Sequence, residues 1–70
     1  MNNFDLMKLH SGAARESLVN DWRTGQAYFN VFAKMDPAGA TRLQLNAPEV
    51  DPFYDDEKIG DFIEWVTANG

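Results

Sequence analysis

The sequence has no cysteine, which removes thiolate catalysis, disulfide staples and cysteine-based zinc sites together. A single histidine, His10, excludes multi-histidine metal ligation as well. Long hydrophobic runs are also missing: no stretch approaches the ~20 apolar residues of a membrane span. The N-terminus lacks a basic start followed by an apolar run, so a cytosolic, unprocessed chain with no membrane contact is expected. Glycine is scattered, and Gly25-Gln26-Ala27 holds one glycine where a phosphate-cradling loop needs several. Neither serine lies in a G-x-S-x-G elbow. His10 stands beside Ser11, but adjacent residues rarely meet in attack geometry and no orienting third group is evident, so His10 is expected to be a loop residue without a catalytic role. No enzyme and no cofactor are expected.

What the 70 residues do have is aromatic mass, with five Phe, two Trp and two Tyr. A core of this size buries only about 60% of the unfolded chain's surface, so large rings have to supply much of the stabilisation. Charge is the second positive feature, because the net −5 is unevenly placed. Residues 1–45 carry five basic side chains against four acidic ones, a net +1, whereas residues 46–70 carry Lys58 alone against seven acids, a net −6. An acidic C-terminal third repels phosphate backbones, and the aromatics do not flank basic residues, so direct nucleic-acid binding is not expected.

The spacing predicts a mainly α fold, a small compact helical domain of three to five short helices joined by an extended, proline-containing connector. Ile59, Phe62, Ile63 and Val66 fall at i, i+3, i+4 and i+7 and define the last helix. Asp55 or Asp56 is its expected N-cap, and Ala68, Asn69 and Gly70 its frayed end. Gly60 weakens that helix by up to ~1 kcal/mol relative to Ala, which suggests close packing of another backbone. A second helix runs from Asn20 or Thr24 to Met35 and carries Tyr28, Phe29, Val31 and Phe32. Asp36-Pro37 ends it, and Pro37 begins a short helix capped by Asp36 and stopped at Asn46-Ala47-Pro48. Residues 47–55 read as an extended connector anchored by Phe53 and Tyr54. In the N-terminal third, Phe4 to Leu9 suggest a short helix, His10-Ser11-Gly12 a break, and Ala13 to Val19 another run that either continues into the second helix or stops near Thr24. One domain over 1–70 is expected, with residues 1–10 a candidate loosely packed segment. The expected core joins Tyr28, Phe29, Val31, Phe32 and Met35 to Ile59, Phe62, Ile63 and Val66, with Leu43 and Phe53 between.

The run Asp51, Asp55, Asp56, Glu57 is the first place to test for a metal. Counted from Asp51, a calcium loop would need an acid at Phe53 and a glycine at Asp56, so the pattern fails and no metal is expected. Two acids at a helix start serve better as caps. Asp61 and Glu64, one turn apart, lie away from the apolar stripe, and exposed carboxylates make poor general acids at neutral pH. Trp22, Tyr54 and Trp65 sit at the edge of the apolar stripes or beside charge, where large rings act either as interface anchors or as caps on a small core.

Two words carry a further signal, GQAYFN at Gly25–Asn30 and DPFYDD at Asp51–Asp56, with an acid-Pro turn between them. Over roughly residues 20–67 the chain resembles a family of small bacteriophage-encoded proteins, mostly of unknown function. The resemblance implies expression in an infected bacterial cell and a place in the host cytoplasm. It also implies a non-enzymatic accessory role, binding and modulating or inhibiting a host protein. Host RNA polymerase or a defence nuclease would suit, since each carries basic surface. The expected contact residues are Tyr54, Asp55, Asp56, Glu57, Asp61, Glu64 and Trp65, the acids steering and the rings anchoring. An acidic DNA mimic and a structural or self-assembling protein, including a homo-oligomer, are the alternative expectations.

Overall fold

The computed structural model describes residues 1–69. Four helices follow one another, α1 (Asn3–Asn20), α2 (Thr24–Met35), α3 (Pro37–Asn46) and α4 (Ile59–Asn69). Two 3-10 turns, Pro48–Val50 and Asp56–Lys58, lie between α3 and α4, and no strand occurs among the described residues. The fold is the small helical arrangement that the periodicity implies.

The main correction concerns α1, which runs unbroken through His10-Ser11-Gly12. Gly12 is a packing notch instead of a break: a Cβ there would lie 3.0 Å from Val31 Cγ1, so the missing side chain lets α1 approach α2. Asn2 caps the start, its Oδ1 accepting from the Asp5 N–H at 2.8 Å. Asp21 ends the helix in the left-handed region (φ 55), which Asp tolerates better than most residues. Ser17 closes the end twice, its carbonyl accepting from Trp22 N–H and its hydroxyl donating to the Trp22 carbonyl. Residues 13–35 are therefore two helices, with the boundary at Thr24.

The other expected stops hold. Asp36 precedes Pro37, and its Oδ1 accepts from Gly39 N–H at 2.9 Å, capping α3. Residues 47–55 depart from the extended reading, because Asp51 Oδ1 accepts from Phe53 N–H and the Pro52 carbonyl accepts from Asp55 N–H. Those side-chain and backbone bonds fold the segment into tight turns. Phe53 anchors it, while Tyr54 does not, being 82% exposed. At the far end, Ala68 and Asn69 belong to α4 and are not frayed: Arg42 donates to the Asn69 carbonyl, and the Asn69 side chain donates to Trp65 O. Gly70 lies outside the described residues. Gly60 meets no other backbone, since a Cβ there would find nothing within 4 Å.

The core draws on all four helices. Phe32 and Phe62 meet edge to face at 5.5 Å between centroids, with Val66 and Leu43 around them, as the two expected stripes require. Tyr28, Met35, Ile63 and Phe53 are only half buried against this cluster. Leu9 of α1, fully buried, takes a central place that periodicity had not assigned to it. Among the described residues no helix is long and apolar enough to cross a membrane.

Candidate functional site

The two sequence words face each other and form one joint. Arg23, the N-cap position of α2, makes no side-chain cap bond, which leaves the first N–H groups of the helix in need of an acceptor. Asp56 supplies it from the far end of the chain, its Oδ1 accepting from Gly25 N–H at 2.8 Å. Gly25 is required by space: a Cβ there would fall 2.1 Å from the Pro52 carbonyl oxygen. Phe29 packs edge-on against Phe53 at 6.0 Å, and the Arg23 guanidinium donates to the Phe53 carbonyl. The DPFYDD turn is thus held on the N-terminus of α2 by a carboxylate, a ring pair and an arginine.

The same bonds explain the acidic run. Asp51 accepts from Phe53 N–H, Asp55 from Glu57 N–H and Asp56 from Gly25 N–H, each carboxylate holding a different part of the backbone. Among the described residues no three acidic, histidine or cysteine side chains converge as metal ligands would. Asp55 caps the 3-10 turn that leads into α4, one of the two positions expected of it. Glu57, Asp61 and Glu64 differ from these aspartates. All three are exposed, and their side chains make no hydrogen bond or ion pair among the described residues. Glu57 to Asp61 is a four-residue step and Asp61 to Glu64 a three-residue step, which places them on one side of the helical segment. Trp65 is half buried at the margin of the core, and Tyr54 stands in solvent with its ring against Phe53 at 4.7 Å. The seven residues expected to bind a partner therefore follow the turn and the outer side of α4 in sequence, with Asp55 and Asp56 also serving the fold.

The basic residues divide similarly. Arg23 holds the turn, and Arg42 lies 3.7 Å from the Asp36 carboxylate while donating to Asn69 O. Lys8 and Arg15 of α1 project outward, Lys8 resting over the Phe4 ring and Arg15 at 4.0 Å from its neighbour Glu16. Trp22 is half buried and fixed through its backbone by Ser17. His10 is a helix residue and not a loop residue, its Nδ1 lying 2.6 Å from the Tyr28 hydroxyl. Partial burial raises the pKa of that hydroxyl above its ordinary value. The described residues enclose no pocket.

One surface escaped the sequence reading. Phe4, Met7, Leu18 and Val19, all on α1, are exposed large apolar side chains. The signal was present as the alternating three- and four-residue steps from Phe4 to Met7, Ser11, Ala14 and Leu18, which only a continuous helix turns into one face. Comparison of the chain with protein families, with characterised proteins and with solved structures finds no match.

Proposed function

We propose that the chain is a non-enzymatic binding module of the small phage-protein kind. It docks through the acidic outer side of α4 and the DPFYDD turn onto a basic surface of a host bacterial protein, with RNA polymerase or a defence nuclease as the leading classes. The observation that carries the reading is the set of exposed, unpaired Glu57, Asp61 and Glu64 beside Tyr54 and Trp65. Carboxylates with an internal role are engaged by backbone N–H groups, as Asp51, Asp55 and Asp56 are. These three glutamate and aspartate side chains have no such role, and an acidic face with an exposed ring beside it has the make-up of a steering rim with an anchor.

The test is affinity capture from bacterial lysate followed by binding kinetics on the captured protein. Reversing Asp61 and Glu64 to Lys should slow association severalfold and flatten its dependence on salt, because rim charges act on encounter. Trp65→Ala should speed dissociation instead. A captured partner whose association and dissociation are unchanged by folded forms of both variants would place the interface elsewhere on the molecule.

A further inference from the structure

We propose that the outer face of α1 is a self-assembly surface that takes the acidic face of a second copy of this chain in a head-to-tail contact. Six large apolar side chains are exposed among the described residues, and four of them, Phe4, Met7, Leu18 and Val19, belong to this one helix. The opposite side of α1 is already apolar and in place: Leu9 and Ala13 are buried, and Gly12 lies against Val31. A surface helix is normally polar on its outer side, so a helix with two apolar sides has a second surface to cover.

Charge selects the occupant. Lys8 and Arg15, both exposed and seven residues apart, flank the Phe4, Met7, Leu18 ridge. Pairing two α1 helices face to face would bring four cations to one seam, which disfavours the symmetric dimer. An acidic surface with apolar content complements the ridge, and the chain carries one in Glu57, Asp61 and Glu64 with Tyr54 and Trp65. Met7 suits contact with such rings, since a thioether adapts its shape and favours aromatic neighbours.

The contact is weak by its size. At 1.5 Å per residue α1 is about 27 Å long, comparable with the 29 Å greatest extent of the molecule. A strip one helix wide still falls short of the roughly 800 Å² per partner of a stable complex. Assembly is therefore concentration-dependent and salt-sensitive. A contact between unlike faces repeats, giving rings or short filaments and not a closed dimer. It would cover the acidic face proposed for host binding, but it stands without that reading because it requires no host protein.

Sedimentation velocity on the purified protein tests it. The average mass should rise with concentration at low salt and return to that of the monomer at high salt. Lys8→Glu/Arg15→Glu and Asp61→Lys/Glu64→Lys should each remain monomeric, while their equimolar mixture assembles, because only the mixture restores opposite charges at the contact. Circular dichroism confirms that each is folded. Should a reversal variant fail to fold, Leu18→Glu, at a position 85% exposed, carries the test and should abolish assembly. The proposal is overturned by a wild-type protein that stays monomeric at every concentration. It is equally overturned by an oligomer that survives either reversal or Leu18→Glu, or by a mixture no larger than its components.

Discussion

Two glycines show how far a residue's meaning depends on its neighbours. At Gly25 the Pro52 carbonyl and the Asp56 carboxylate occupy the space a side chain would need, and the nearer atom belongs to a backbone that cannot swing aside. Gly25→Ala should therefore lower stability by about 2 to 3 kcal/mol or more through overpacking. Gly60 sits in a helix with open space around it, and Gly60→Ala should raise stability by up to ~1 kcal/mol. Thermal melts of the two variants should move in opposite directions. A shared direction would mean that the joint between the two sequence words is wrongly placed. Tyr28 offers a third check at this scale. Its hydroxyl pKa is raised by burial, so the folded state holds the proton more tightly than the unfolded chain does. That contribution to stability is complete below the ordinary tyrosine pKa of 10.0 and is lost as pH rises through the raised value. In a Tyr54→Phe background, ultraviolet titration should give Tyr28 a later midpoint in the folded protein than in urea, and equal midpoints would refute the burial.

The elements differ in how plainly the sequence announces them. α2, α3 and α4 are bounded by local chemistry, Asp36-Pro37, Asn46-Ala47-Pro48 and an apolar repeat, and each lies where those signals place it. α1 was misjudged because Ser11-Gly12 has the composition of a break, and whether a glycine interrupts a helix or admits another one depends on Val31, 19 residues later. The connector was misread for a related reason, since two prolines suggest extension while the turns are set by which N–H groups the aspartates reach. The acidic run itself was legible, but its use was not, because the donor for Asp56 lies 31 residues upstream. Two variants probe these elements. Phe62→Ala removes the ring between Phe32 and Tyr28 and should cost about 3 to 5 kcal/mol, most of the stability of a chain this short. A melting point within a few degrees of the parent would contradict the core. Asp56→Ala should cost about 1 kcal/mol by uncapping α2, with Asp56→Asn less harmful because it keeps an acceptor oxygen. Equal melting points for Asp56→Asn and Asp56→Ala would show that the bond to Gly25 contributes nothing.

For the molecule as a whole, the uneven charge determines what it responds to. Asp51, Asp55 and Asp56 are distributed among separate backbone donors, so millimolar Mg²⁺ or Ca²⁺ should shift the melting temperature no more than a monovalent salt of matched ionic strength does. A clear excess for the divalent ion would show that the acids form a site after all. The bond from Asp56 to Gly25 also orders events in time. A ribosome adding 5–20 residues per second needs roughly 2 to 6 s to pass from one residue to the other, and during that interval the start of α2 has no acceptor. Tyr28 and Phe32 are by then already made, while Phe62, whose ring packs against both, is not. A chain stalled or cleaved before residue 56 therefore lacks both the acceptor for the start of α2 and the ring that packs on Phe32, and offers that apolar surface to chaperones and proteases.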